Sequence, residues 1–480
     1  MRPKTNQFSI SGRLRKTRVF LLFAALLWSC KGNAQVPDTV YPVPTPQQVA
    51  WYELEFYLFM HFGPNTFTGM EWGKGNEDPD VFNPTDYNPQ QWVSIAKQAG
   101  AKGIIITAKH HDGFCLFPSA YSTHTVRESR WKGGKGDVLK DLSEALRKEG
   151  LLFGVYISPW DRNHPQYGTD EYNNVYLATM EEVITQYGPV FEMWWDGANG
   201  EGPNGKRQAY DFRAFENAMR RLSPNTVIFS DIGPDIRWIG NEKGIAGETN
   251  WAMLDTAGFQ RGEGSPSMDT LNMGNRNGKH FIPGEADVSI RPGWFYHPDE
   301  DDKVKSGNEL FDLYLTSVGR NANFLLNVPP DRRGLIHPND SASLMAFKRI
   351  KEEYFKTNLV KNAFLKAGSA VPKYPVGHLK DENRKTFWMP AEGEHSVVIE
   401  FPVLTDIKAV MLQEYIELGQ RIAAFNIHVS ENGKDFRLLQ EGTTVGYKRI
   451  LTFDPVKVKS VKITITESKS IPLISEIGVY

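Results

Sequence analysis

The sequence predicts an α/β catalytic domain, a (β/α)₈-like TIM barrel, followed by an all-β sandwich domain. Three observations carry that expectation. From about residue 50 to residue 362 helical apolar faces alternate with short strand-like runs. Those runs are apolar on both faces, as the strands of a parallel sheet are. After about residue 365 the apolar periodicity changes to two. A doubly wound open sheet would share the first two features, but no GxGxxG follows any of the strands.

The elements follow in order. In "NPQQWVSIAKQAG" Asn88 is placed to cap a helix and Pro89 to start it. Trp92, Ile95, Ala96 and Ala99 recur at helical spacing, and Gly100 stops it. "GIIITA" then reads as a buried strand. The unit recurs: Val138, Leu139, Leu142, Ala145 and Leu146 make one helix face before "LLFGVYIS". Leu177, Met180 and Ile184 make the next before "VFEMWW", and Phe212, Phe215, Met219 and Leu222 a third before "TVIFSD". Beyond it, "HSVVIEF", "IKAVMLQEY", "AAFNIHVS", "RILTF" and "SVKITITES" are short alternating or β-branched runs, with Asn432-Gly433 as a hairpin signal. "KAGSAVPKYP" reads as the linker. The domains are therefore a signal peptide over 1–34, the barrel over 35–365 and the sandwich over 366–480.

At the N-terminus Arg13, Arg15, Lys16 and Arg18 precede "VFLLFAALLWS", too short an apolar run to span a bilayer and suited to the h-region of a signal peptide. The protein is expected to be exported, to the periplasm or the cell exterior. Cleavage after Ala34 would release a soluble protein; cleavage before Cys30 would leave a thiol for a lipid anchor. Either cut leaves Cys115, in the apolar "GFCLF", without an intrachain disulfide partner. A formal net charge of −2 gives no electrostatic reason to expect nucleic acid or an anionic membrane surface, and points to a neutral ligand.

In such barrels sites form at the C-terminal ends of the strands, and the unusual residues stand there. "EFYLFM" ends in His61-Phe62-Gly63, "GIIITAK" in His110-His111-Asp112, the third strand in "YISPWD" and the fourth in Trp194-Trp195-Asp196. Strand alternation puts Trp194 and Asp196 on one side and Trp195 on the other. A carboxylate beside an aromatic face, ringed by histidines, meets the demands of a sugar: the ring stacks, imidazoles bond the hydroxyls, and the carboxylate faces the anomeric carbon. A helix cap is the other reading of Asp196, and buried structural histidines or a metal site the other readings of His110-His111. Alternation would point those neighbours to opposite faces, which makes chelation of one ion awkward, and no HxxxH or CxxC accompanies them. Glu71-Trp72, in the long loop after the first strand, reads on its own as a surface loop.

The set "FMHFGPNTF", "EWG", "TAKHHDGF", "GVYISPWDR", "FEMWWDG", "RPGWFYHP" and "SVGRNANFLLNVPPDRRGLI", in that order across residues 50–350, resembles the α-L-fucosidases of glycoside hydrolase family 29. The stretch "PDIRWIGNEKGIAGETNW" resembles the subgroup acting on α-1,3- and α-1,4-linked fucose in Lewis-type glycans. The resemblance implies a barrel followed by a β-sandwich, a fucosylated oligosaccharide or glycoprotein glycan as substrate, and retention of configuration. It makes Asp196 the nucleophile, and His61, Glu71, Trp72, His110, His111 and Trp194 fucose-binding residues, with Trp294 of "RPGW" as a pocket wall. Tyr156 joins them at a position where the family often has two tyrosines and this chain has Tyr156-Ile157. For the general acid/base the candidates are Glu242, Glu248, Glu285 and Asp287, and Glu242 stands where the subgroup places its acid. An ionised nucleophile and a protonated acid are sufficient for this chemistry, which demands no metal or organic cofactor. Another exo-glycosidase on the same barrel, or a non-catalytic glycan-binding lectin using the sandwich, are the alternatives.

Overall fold

The computed structural model of the protein describes residues 36–480 apart from Glu392. The signal-peptide reading of 1–34, both cleavage sites and Cys30 lie outside the described residues. Among those described, no helix is long and apolar enough to cross a membrane.

Ten strands belong to the first domain: β1 (Phe56–Met60), β2 (Gly103–Lys109), β3 (Leu152–Ile157), β4 (Glu192–Trp194), β5 (Val227–Ser230), β6 (Ile236–Trp238), β7 (Met253–Leu254), β8 (His280–Phe281), β9 (Gly284–Ser289) and β10 (Ala322–Asn327). Eight of them close a barrel in the order β1-β10-β9-β6-β5-β4-β3-β2, while β7 and β8 form a separate two-stranded ribbon. Every pairing around the barrel is parallel. The open-sheet alternative is thereby excluded.

The helix signals act as expected. Asn88 accepts from Gln91 N at the start of Pro89–Ala99, and Gly100 ends it with φ +83°, a left-handed value that a side chain would strain. Asp137 and Gly150 do the same for Val138–Glu149. The strands are buried on both sides, and the two faces enter different cores. Leu58, Met60, Ile104 and Ile106 pack outward against the helices, while Tyr57, Phe59 and Ile105 fill the barrel interior with Tyr156, Trp194, Phe229 and Leu325. One unit departs from the repeat: β5 and β6 are joined by residues 231–235 with no helix between them.

The second domain is an antiparallel β-sandwich built from β11 (Phe364–Ala367), β12 (Ser396–Glu414), β13 (Ile422–Ser430), β14 (Arg437–Gly442), β15 (Arg449–Ser468) and β16 (Ile474–Val479). The strand order is β11-β12-β15-β13-β14, with β16 also on β12. β12 and β15 are long, and a register break between Glu400 and Thr405 bends them around a core that includes Trp388, Phe401, Phe425 and Ile463. Asn432 turns β13 into β14, its side-chain oxygen accepting from Lys434 N and Asp435 N, while Gly433 takes φ +76°. The segment 366–375, linker-like in sequence, gives its first two residues to β11.

The two domains share polar contacts. Gln420 donates to Asn250 O and accepts from Ala252 N, at 3.1 and 2.7 Å, and Arg449 donates to Glu248 O at 2.7 Å. Tyr52 and Tyr447 stack across the junction with centroids 4.9 Å apart. The sandwich thus braces the loop that leaves β6, and that loop carries one wall of the site.

Candidate active site

The fourth strand answers its own oddity. β4 ends at Trp194, which points inward, whereas Trp195 is fully buried in the outer layer against Phe212 and Phe215. Asp196, one residue further on, lies at the mouth of the barrel. Its Oδ1 accepts from Ala198 N at 2.7 Å and its Oδ2 from the Tyr156 hydroxyl at 2.9 Å. Both oxygens are therefore oriented, and the carboxylate faces a cavity of about 180 Å³, the scale of one sugar ring. Gly197 follows because nothing larger fits: a Cβ there would lie 2.1 Å from Asp231 Oδ2. Burial, reinforced by the charge of Asp196, pushes the Asp231 carboxyl up to about 6.

The histidines correct one expectation. β2 ends at Lys109, so His110 and His111 lie beyond the ladder in a turn where Gly113 N donates to His110 O at 3.0 Å, and strand alternation does not apply to them. Both line the cavity, with ring centroids 4.2 Å apart. Ser158 Oγ donates to Trp160 O at 2.8 Å, so its single proton is committed and it accepts from His111 Nδ1, also at 2.8 Å. The lone pair on His111 Nε2 is left pointing at the pocket, 3.8 Å from Asp196 Oδ2. His61 is set the same way. Asn327 Nδ2 donates to Ser289 Oγ and Trp294 O, which leaves its Oδ1 to accept from His61 Nδ1 at 2.9 Å. Burial holds His61 down to about 4, His111 below its ordinary value and His110 well below it. All three are neutral imidazoles near pH 7, suited to the hydroxyls of a neutral ligand. No group of three or more His, Cys, Asp or Glu side chains is placed to hold a metal ion among the described residues.

The opposite wall comes from two loops. The loop after β6 is tied to β9 by a backbone bridge between Lys243 and Val288, and Gly244, at φ +70°, comes so close that a Cβ would lie 2.7 Å from the Val288 side chain. That bridge brings Glu242 over the cavity, where the Trp294 indole N–H donates to it at 3.2 Å. The loop carrying Trp294 is itself held by Glu71. Trp294 N and Phe295 N donate to the two Glu71 oxygens at 2.8 and 3.3 Å, and His297 Nε2 lies 2.6 Å from Oε1. Glu71, a surface-loop glutamate when read alone, is a clamp between two rim loops. Beside it Trp72 stands edge-on to His111 and Trp160, more than half exposed.

Asp196, Glu242 and all eight residues expected to bind substrate line this one cavity, joined by Phe59, Ala198 and the acid candidate Asp287. The other acid candidates separate. Glu248 is a largely exposed side chain beside Arg320, away from the cavity. Glu285 is fully buried beneath it, accepting from the Trp194 indole at 2.8 Å and from the Tyr57 hydroxyl. Trp194 also differs from expectation. It lies in a stack between Tyr156 and Phe229, with centroids 5.3 and 3.9 Å away, so its faces are used inside the barrel. The open aromatic surfaces of the pocket belong to Trp72 and Trp294. Sequence reasoning missed Phe59, Ser158 and Asn327, because an apolar strand residue and two polar residues at the ends of other strands carry no signal until the barrel brings them beside a histidine.

Comparison with known proteins agrees with this geometry. The α-L-fucosidase family model matches residues 39–349, and an F5/8 type C domain model matches 365–477. The chain is 41% identical over 478 residues to α-L-fucosidase 1 of Arabidopsis thaliana, covering 97% of this chain and 93% of that one. Among solved structures it is similar to a putative α-L-fucosidase from Bacteroides thetaiotaomicron, with a TM-score of 0.86 and 37% identity over 93% of this chain and 99% of the other. It is also similar to a Ruminococcus gnavus GH29 fucosidase in complex with fucose, with a TM-score of 0.85 and 31% identity over 94% of this chain and 97% of the other. With a barrel-mouth carboxylate, neutral histidines and a sugar-sized cavity on a chain matched along nearly its whole length, the protein belongs to the α-L-fucosidases of glycoside hydrolase family 29.

Proposed function

We propose that the protein is a retaining exo-α-L-fucosidase that removes terminal α-1,3/1,4-linked fucose from Lewis-type oligosaccharides and glycoconjugates, with Asp196 as nucleophile and Glu242 as general acid/base. The observation that carries this reading is the presence of these two carboxylates, from different strand ends, on one sugar-sized cavity. Asp196 attacks the anomeric carbon and forms a glycosyl-enzyme ester; Tyr156 and Ala198 N aim its oxygens. Glu242 donates a proton to the departing oxygen, then takes one from the water that hydrolyses the ester, so two inversions leave configuration unchanged. His61 and His111, their inner nitrogens committed to Asn327 and Ser158, present lone pairs to sugar hydroxyls. A pocket of one-ring size at the barrel mouth suits removal of a terminal residue. The linkage preference is supported by the "GNEKG" and "AGETN" loop sequence, and export by the N-terminal basic and apolar pattern.

Fucose release from a Lewis-type trisaccharide, an α-1,2-fucosylated lactose and an aryl fucoside tests the reading. The wild type is expected to prefer the Lewis glycan, Asp196→Ala to lose activity by at least about 10⁴-fold, and Glu242→Ala to recover turnover with azide. Equal rates on all three substrates would remove the linkage preference. Full activity in Glu242→Ala would move the acid elsewhere, and no release from any of them would defeat the enzymatic reading.

A further inference from the structure

We propose that Asp287 is a further substrate-contacting residue, whose carboxyl hydrogen-bonds a hydroxyl of the bound sugar and sets the pocket's selectivity for that hydroxyl. The inference rests on the fucosidase reading of the cavity.

Asp287 lies near the C-terminal end of β9, opposite Leu325 of β10, immediately before the Val288 that bridges to the Glu242 loop. It lines the cavity, is 3% exposed, and its Oδ1 has no hydrogen-bond partner among the described residues. A buried carboxyl oxygen without a partner is unfavourable unless something arrives to satisfy it. Glu285, two residues earlier and on the same side of β9, shows the contrast. Its oxygens are engaged by the Trp194 indole and the Tyr57 hydroxyl, which closes it off as a floor residue. Asp287 instead lines the cavity with one carboxyl oxygen left unpaired.

The surroundings decide which form it presents. Burial above all, with the like-signed Glu242 and Glu285 adding to it and the Trp238 side chain opposing it weakly, holds the carboxyl well above the usual carboxylate range. The protonated form is thereby favoured, and a protonated carboxyl offers both a donor and an acceptor. A secondary hydroxyl of a sugar, itself donor and acceptor, pairs with such a group at both ends. The neutral histidines on the far wall offer acceptors, so Asp287 supplies a donor they lack. A site built this way discriminates against a ligand missing the hydroxyl, because the carboxyl is then left buried and unpaired.

The test combines substitutions at Asp287 with removal of single hydroxyls from the sugar. kcat/KM would be measured for the Lewis-type trisaccharide and for its 2-, 3- and 4-deoxyfucose analogues, in wild type, Asp287→Ala and Asp287→Asn, with melting temperatures for each. The wild type is expected to lose at least about tenfold on one analogue. Asp287→Ala should lose about as much on the parent glycan and show no further loss on that same analogue, the two deletions removing one interaction. Asp287→Asn, which keeps the size and both hydrogen-bonding functions, should fall between. If the losses multiply for every analogue, or if Asp287→Asn falls as far as Asp287→Ala on all of them, the hydroxyl contact is overturned. Should Asp287→Ala not fold, the Asn comparison carries the test alone: discrimination against every analogue unchanged from wild type would refute it. Wild-type enzyme inactive on every fucoside would instead defeat the functional reading beneath it.

Discussion

At the residue scale the site is a set of side chains whose freedom has been removed by a second group. Tyr156 and Ala198 N orient Asp196, Ser158 fixes the His111 tautomer, and Asn327 fixes that of His61. Asp231 carries a cost of this arrangement, since it is held half-buried against Gly197 within the field of Asp196. Its carboxyl titrates at about 6 in the fold against 3.8 as an ordinary aspartate. A raised value means that the folded state binds more protons between these limits, so the stability this group permits is complete below about pH 4 and is lost as pH rises through 6. Asp231→Asn is therefore expected to be more stable than wild type by roughly 2 kcal/mol at pH 7 and equal to it near pH 4. Denaturant melts at the two pH values measure this; parallel curves for the two proteins would show that Asp231 is not strained.

At the element scale the barrel supplies fixed points and the loops bring the chemistry to them. Glu71 joins the loop after β1 to the loop after β9, and the Trp294 it positions reaches Glu242 on the loop after β6. Three loops thus act as one wall. Glu71→Gln keeps the shape but removes the charge that His297, Trp294 N and Phe295 N share. The expected result is a loss of about ten- to a hundredfold in kcat/KM, with KM raised because the Trp294 wall loosens and kcat lowered because Glu242 loses its partner. A change confined to KM would show that the clamp does not reach the acid. The missing helix between β5 and β6 belongs to the same logic, because the short connection brings Asp231 directly beneath Gly197.

At the scale of the molecule a buried cation of the barrel supports one of its contacts with the sandwich. Arg237 on β6 is fully buried and donates to the carbonyls of Leu271, Ile282 and Trp251 and to Asn250 Oδ1, at 2.9 Å in the last case. Asn250 in turn meets the sandwich through Thr444 and Gln420. Asn250→Ala would leave a guanidinium N–H short of an acceptor in a dry interior, a loss of about 2–3 kcal/mol. The midpoint of denaturant unfolding reports it, and a shift below about 0.5 kcal/mol would mean that Arg237 finds another partner.

The βα alternation, the change to period-two strands and the helix caps were legible because each is local: a cap and its helix lie within a few residues, and an apolar period needs no partner to be seen. So were the pocket residues at strand ends, for a barrel places the ends of its strands on one rim whatever fills the loops between them; Glu71, Trp72, Glu242 and Trp294, on loops, were reached only through the family resemblance. What only the tertiary structure decided is direction and partnership. His110 and His111 share a face because β2 stops at Lys109 and not one residue later. Trp194 turns its faces to Tyr156 and Phe229, leaving stacking to Trp72 and Trp294. Among four acidic candidates after the nucleophile, the sequence by itself offered a loop position for each; the fold exposes Glu248, seals Glu285, and brings Glu242 and Asp287 together over the cavity. The physical reason is that a carboxylate's role follows from what surrounds it, and those surroundings come from strands and loops up to hundreds of residues away.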